Sequence, residues 1–338
     1  MIAYALRRLI AMLPVLALVL VIVFGLTRMI PGDPAETLLG PGATTAQIDA
    51  LRHELRLDRP ALQQFIDYVG GLARGDLGAS IKTGRTVASE LAARLPATIE
   101  LAFAAFALAL LGGIPAGILA ARRPGGPVDR TLQFLSLCGV SIPAFLLAFG
   151  LQYVFSAWLG VLPVAGRNSA FAVGEEQGGF ALTRSLLTFH LTTFGDLAAH
   201  ILLPATVLAA FLAATLGRFL RNTMIDTLSE DYVRTARAKG LTERAILLKH
   251  ALPNAIGPSI MVLGVQFGDM LGGAILTETV FSWPGVGRYM FEAIRARDYP
   301  VIQSTTLVFA LMFMLMSLAA DLLSVALDPR LRQDRGRG

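Results

Sequence analysis

Six apolar stretches, each near the length of a helix that crosses a bilayer, constrain this 338-residue chain more than any other feature. They fall at about 9–28, 98–121, 132–158, 201–220, 257–278 and 303–327, and a bilayer core calls for about 20 apolar residues per helix. The segments between them hold nearly all the charge, and only 16% of the residues are charged, against about 25% in a soluble domain. Backbone amides in hydrocarbon must find partners within their own helix, so the pattern predicts an all-α polytopic membrane protein with six transmembrane helices. The first stretch follows Arg7-Arg8, as in a signal peptide. Its apolar run is too long for one and no small-x-small cleavage pattern follows, so it is expected to stay as the first span.

Composition removes several function classes. The single Cys138 lies in an apolar run, which excludes a disulfide framework and a thiolate metal site. His53, His190, His200 and His250 are scattered, none four residues from another, so no structural metal is expected. A net charge of +5 could suggest nucleic acid, but a membrane protein needs basic loops for its topology in any case. Lys82, Lys239 and Lys249 follow Ile81, Ala238 and Leu248, so no lysine follows a glycine and the chain has no phosphate-binding P-loop. Gly139-Val140-Ser141 faintly suggests a membrane serine protease, but Ile142-Pro143 follows it and reads as a kink in a transmembrane helix.

Basic residues set the sidedness. With the amino terminus inside, segments 1–8, 122–131, 218–256 and 328–338 hold 16 of the 29 lysines and arginines against seven acids, a net of +9. Both termini are therefore expected in the cytoplasm. The outer segment 30–97 is too long for a simple loop. Thr44-Thr45 can cap a helix carrying Ile48, Leu51 and Leu55, Pro60 punctuates its end, and a second apolar-patterned stretch runs from Leu62 to Leu72. The segment predicts a small external helical subdomain. No internal repeat or soluble catalytic domain is visible, so 1–338 reads as one membrane domain.

The most informative stretch is 229–253. Ser229 is a good N-cap, Glu230 and Asp231 suit the positive end of a helix dipole, and Arg237 and Lys239 suit its negative end. Gly240 can take the left-handed conformation that ends the helix. Thr242 can cap a second helix running to Leu252, with Pro253 stopping it. Two short helices hinged at Gly240 are thus expected between the fourth and fifth spans.

This spacing resembles the cytoplasmic loop of permeases from binding-protein-dependent ABC importers, where Glu-Ala-Ala, three residues, Gly, nine residues and Ile-x-Leu-Pro recur. Ala236, Gly240, Leu252 and Pro253 fall on that pattern, whereas Arg234-Thr235 replaces Glu-Ala and His250 replaces Ile. The string from Tyr232 to Leu241 is similar to the variant of the dipeptide and oligopeptide branch. Pro31-Gly32-Asp33-Pro34, Leu57-Asp58-Arg59-Pro60, Arg94-Leu95-Pro96-Ala97-Thr98, Ser141-Ile142-Pro143, Leu162-Pro163 and Thr279-Val280-Phe281-Ser282-Trp283-Pro284-Gly285 extend the resemblance along nearly the whole chain.

The resemblance implies the type I ABC importer permease fold and a non-catalytic subunit with peptides as cargo. Other members of the branch carry nickel, haem, glutathione or sugar derivatives. It also implies a second homologous permease, two cytoplasmic ATPase subunits that bind ATP and Mg, and an external solute-binding protein, so no cofactor is expected in this chain. Residues 231–240 would be the coupling helix seated on an ATPase, with Asp231, Tyr232, Arg234, Thr235, Ala236, Arg237, Lys239, Gly240, Leu241 and Pro253 as the coupling residues. The alternative is a self-sufficient secondary transporter or channel, which should show an ion-coupling site or inverted repeats.

Inside the membrane, Gly264, Gly268 and Gly272 share one helix face, read either as tight packing or as a face that slides against the partner permease. Asp269, near mid-span, is read either as a satisfied packing residue or as part of the substrate pathway that favours a cationic group. Glu100, Glu278 and Asp321 lie near span ends, where the interface is expected to solvate them.

Overall fold

The computed structural model describes residues 2–169 and 179–327. Among the described residues the regular structure is helical, with one isolated antiparallel bridge between Ala79 and Thr86. Helix α1 (Ile2–Met29) is followed by three short helices, α2 (Pro34–Leu39), α3 (Thr45–Glu54) and α4 (Ala61–Ala73). Thr44 caps α3 in a reciprocal capping box with Gln47, which satisfies two of the helix's orphan amides. Long helix α5 (Val87–Arg122) leads to α6 (Pro127–Ser141) and α7 (Ala144–Leu151), the latter extended by a wide π-helical turn over Gln152–Trp158. After α8 (Ala181–Leu187) comes the longest helix, α9 (Leu191–Ser229). Then follow α10 (Asp231–Ala238), α11 (Glu243–Ala245), α12 (Leu252–Val280), α13 (Val286–Ala296) and α14 (Tyr299–Leu327).

Helices α1, α5, α9 and α14 are each long and apolar enough to cross a membrane, and two bent pairs bring the candidates to six. One bent pair corrects the sequence reading. The stretch 132–158 is no continuous span with a kink, because α6 and α7 meet at 108°. Ile142 is extended and Pro143 stands immediately before α7. Proline restricts the residue before it to extended backbone and offers no amide, so the two helices separate there.

The core is the α5–α9 pair. Every fourth residue of α5 from Ala97 (Ala97, Leu101, Ala105, Ala109, Gly113, Gly117, Ala121) is buried. This stripe faces Ile201, Ala205, Leu208, Leu212 and Leu216 of α9. A Cβ built on Gly113 would stand 3.0 Å from the Ala213 carbonyl oxygen, and one on Gly117 would stand 2.9 Å from that of Gly217. The backbones approach this closely because those side chains are missing. Two residues of the glycine face singled out in the sequence, Gly264 and Gly268, pack inside the chain. A Cβ on Gly264 would overlap Ala320 of α14, and one on Gly268 would overlap the Phe313 ring. The side chains at 269 and 272 lie outside the described residues.

If close backbone approach holds α5 to α9, Gly117→Val should lower the unfolding free energy in detergent by about 1–3 kcal/mol through overpacking. Gly112, with open space where its Cβ would be, should tolerate the same change within roughly 0.5 kcal/mol. Equal losses at both positions would contradict this packing.

Candidate functional site

Two constellations stand at opposite ends of the α5–α9 pair. The first is the short helix pair. Helix α10 buries Val233 and Ala236 against Ile246, with Leu228 packed beside them. The other residues of 231–240 are exposed. Gly240 has φ +78°, and its amide and that of Leu241 close the helix on the carbonyls of Arg237 and Ala236. Arg237 pairs with Glu243 across the hinge at 3.0 Å. The Tyr232 hydroxyl accepts from Asn254 Nδ2 at 2.9 Å, and the same amide donates to the His250 carbonyl at 2.8 Å. One end of α10 is thereby tied to the start of α12.

Two local expectations need correction. Ser229 is no N-cap: it is the last residue of α9, and its hydroxyl donates to the Asp226 carbonyl. Glu230, extended at φ −68° and ψ 149°, makes the break before α10 instead. The second helix does not stop at Pro253. Thr242 caps α11 through the Ala245 amide, a π-helical turn follows over Ile246–Ala251, and the chain runs on into α12 with Pro253 in its first turn. Proline lacks a donor and its ring strikes the carbonyl four residues back, and the widened turn just before it takes up that misfit. Ala236, 7% exposed, packs within the helix pair.

Beside this pair sits a charge cluster that the sequence reading missed. The Asp129 carboxylate is fully buried and accepts from Arg221 Nε at 2.8 Å and Nη2 at 2.6 Å, from Gln133 at 2.9 Å and from the Gly125 amide at 2.7 Å. It ties the loop before α6 to α9 two turns above α10. The paired carboxylate is saturated, which is the condition under which a buried charge is tolerated. Asp129 and Arg221 are 92 residues apart, so only the fold could reveal the pair.

The second constellation corrects the reading of Glu100 and Glu278. Glu278 is fully buried; it accepts from Thr98 Oγ1 at 2.7 Å and from the Arg288 amide at 3.0 Å. Trp283, also buried, donates through Nε1 to the Ala97 carbonyl at 3.0 Å. A Cβ on Gly285 would collide with the Glu278 carboxylate, so the Trp-Pro-Gly turn needs its glycine. Glu100 is buried and pairs with Arg167 at 2.7 Å, also accepting from the Thr183 amide at 2.9 Å. Neither carboxylate is solvated. Asp321 pairs with Arg8 at 2.8 Å. The turn after α12 is thus locked onto α5 by hydrogen bonds from side chains on both sides.

Among the described residues, two cavities flank the core. One, of about 400 Å³, is lined by apolar groups that include Phe103, Phe106, Phe267 and Met316. The other, of about 310 Å³, lies at the α6–α7 break beside Pro143, Phe211 and Gln266. Among the described residues no group of three or more His, Cys, Asp or Glu side chains could hold a metal ion.

Comparison with known proteins places this architecture. The family described as "Binding-protein-dependent transport system inner membrane component" matches residues 113–333, and its amino-terminal companion matches residues 1–102. The Di/tripeptide transport system permease protein DppB of Pseudomonas aeruginosa (strain UCBPP-PA14) is 41% identical over 99% of this chain and all of that relative. The Probable D,D-dipeptide transport system permease protein DdpB of Escherichia coli (strain K12) is 44% identical over 96% of this chain and 94% of its own length. The Glutathione transport system permease protein GsiC of the same strain is 39% identical over 98% and 99%. Among solved structures, the inward-facing MetNI methionine ABC transporter matches 69% of this chain and 93% of its own, with a TM-score of 0.52 at 17% identity. That likeness concerns the fold.

Removing one partner of the buried ion pair leaves the other charge uncompensated, so Asp129→Asn should lower the unfolding free energy by about 3 kcal/mol or more. The exposed Asp231→Asn should leave the denaturation midpoint unchanged. Equal midpoints for both variants would remove the pair from the account.

Proposed function

The chain belongs to the family of binding-protein-dependent transport system inner membrane components, and from that premise we propose how it works and what it carries. It is a non-catalytic, multi-pass inner-membrane permease subunit of an ATP-driven importer. Its cargo is a di- or oligopeptide, a reading supported by the names of the relatives, which include di/tripeptide, D,D-dipeptide and glutathione systems. The pathway forms between this chain and a second homologous permease. Two cytoplasmic ATPase subunits bind ATP and Mg, and a solute-binding protein delivers cargo on the opposite side. Both termini lie in the cytoplasm, on the side of the basic segments at 122–131 and 218–256.

The observation that carries the coupling role is the division of labour within α10. Val233 and Ala236 anchor it and Tyr232 straps it to α12, while Asp231, Arg234, Thr235, Arg237, Lys239 and Leu241 stay exposed. A short helix seated on its own chain by one face and free on the other can pass a push from an ATPase groove to α9 and α12 without folding away. Pro253 acts one step behind it, at the start of α12. Asp269, on α12, is assigned to the pathway, where it would favour a cationic group such as a peptide amino terminus. The self-sufficient secondary transporter finds no support among the relatives, which are permease proteins of transport systems.

The hinge gives the direct test. Gly240 holds φ +78°, which proline, fixed near −65°, cannot adopt. Gly240→Pro in the reconstituted complex should keep ATP hydrolysis but lose at least tenfold in peptide uptake. Unchanged uptake would sink the coupling role. For the pathway residue, Asp269→Asn should reduce uptake of cationic peptides more than that of neutral ones; equal effects would remove Asp269 from it.

A further inference from the structure

The contacts of α6 and α7 with α9 place the break between them near the middle of the membrane. Along α6, Asp129 pairs with Arg221 and Ser136 donates to the Ala214 carbonyl. A Cβ on Gly139 would stand 3.2 Å from that of Ala214. Beyond the break, Ala148 of α7 packs with Leu203 and Val207. The break itself therefore stands beside residues 207–211 of α9, with which it shares a cavity. Between Asp196 and Arg218, α9 holds no carboxylate, lysine or arginine. That stretch is about 33 Å of helix, the depth of a bilayer core, and residue 207 is at its midpoint.

A break at this depth strips backbone groups of their partners. Among the described residues, the Ile142 amide donates to the Cys138 carbonyl, and the Leu146 and Leu147 amides share the Pro143 carbonyl. Pro143 has no amide to offer the Gly139 carbonyl. The carbonyls of Val140 and Ser141 end α6, and the amides of Ala144 and Phe145 begin α7, so their own helices leave them without partners. Residues 140–146 are all exposed. Irregular backbone at membrane depth is tolerated only where it is buried in protein or lines a water-filled cavity. Exposure rules out the first here, and the cavity of about 310 Å³ at the break supplies the second. Gln266 of α12 enters it from the far side and adds an amide oxygen and an amide NH₂. The walls between are apolar, with Leu147 and Phe211 among them.

The open groups are of both kinds. The carbonyl end of α6 favours positive charge and donors, and the amide end of α7 favours negative charge and acceptors. A peptide main chain carries that same set: an ammonium and amide N–H groups, with carbonyl oxygens and a carboxylate. We propose that the α6–α7 break is a subsite for the cargo peptide, where its main chain bonds to the open carbonyls and amides and to Gln266 while it crosses the middle of the membrane. This rests on the reading of the chain as a peptide importer subunit. Contacts made to main-chain groups take one peptide as readily as another, whatever its side chains.

The assembled complex in phospholipid nanodiscs, with its solute-binding protein carrying tritiated alanyl-alanine, tests this. A photoreactive benzoylphenylalanine is placed in turn at Leu147 and Phe211, which line the cavity. Controls carry it at Phe134, lower on α6, and at Phe106, in the other cavity. Illumination during ATP turnover should attach label at 147 and 211 at least fivefold more than at 134 and 106. Gln266→Leu should cut the label at 211 at least threefold for equal amounts of assembled complex. Equal label at all four positions, or undiminished label in Gln266→Leu, would overturn the proposal. Adducts of 147 and 211 with the partner permease or with lipid in place of the peptide would overturn it too. If the unmodified complex takes up no dipeptide with ATP, the importer reading falls and this subsite with it. If it does take up dipeptide while 147 and 211 stay unlabelled, the subsite alone falls.

Discussion

Close packing of α5 on α9 is the constraint on which the rest of this molecule depends. Lipid tails are as apolar as leucine, so spanning helices gain little by hiding apolar side chains from the bilayer and associate through packing and interhelical hydrogen bonds. The period-four stripe from Ala97 to Ala121 supplies that packing, with Gly113 and Gly117 against the Ala213–Gly217 turn of α9. Once the pair is set, its two ends are placed as well. At one, Leu220 and Met224 of α9 pack with Ala121, Leu247 and Ala251, which seats the segment leading from the short helix pair into α12. At the other, Thr98 and Ala97 receive Glu278 and Trp283.

The polar groups act as locks on this frame. Asp129–Arg221 joins the start of α6 to α9, and Glu278–Thr98 joins the turn after α12 to α5. Each carboxylate is buried with its hydrogen bonds made, because a polar group left unsatisfied in either place would cost about 1–3 kcal/mol. The locks lie at the two ends of the core and leave its middle to apolar packing and the two cavities. Such an arrangement suits a subunit that must pass movement from one end to the other while its spans remain folded.

Much of this was legible in the sequence because hydrocarbon imposes length. The apolar runs at 9–28, 98–121, 201–220 and 303–327 each lie in a single helix long enough to span, whereas 132–158 breaks before Pro143, and the capping box at Thr44 and the left-handed Gly240 follow from local chemistry alone. What escaped reading depended on tertiary partners. Ser229 before two acids has the form of an N-cap, yet α9 keeps burying Leu228 against the helix pair and so runs on through Ser229. Pro253 reads as a stop, yet after the π-helical turn before it the chain continues into α12 with Pro253 in the first turn. Glu278 looked solvated because it sits at a span end. Its burial comes from α5 and from the turn that folds back over it, 180 residues away in the case of Thr98.

The central claim is that this chain forms a conduit driven from outside itself, by ATP hydrolysed on partner subunits. The most direct measurement is uptake of a labelled dipeptide, presented with the solute-binding protein, into vesicles holding this chain, its partner permease and the ATPases. ATP and Mg are either supplied or withheld on the ATPase side. The account expects uptake only with ATP, indifferent to an imposed proton or sodium gradient. Uptake that persists without ATP and follows an ion gradient would contradict it.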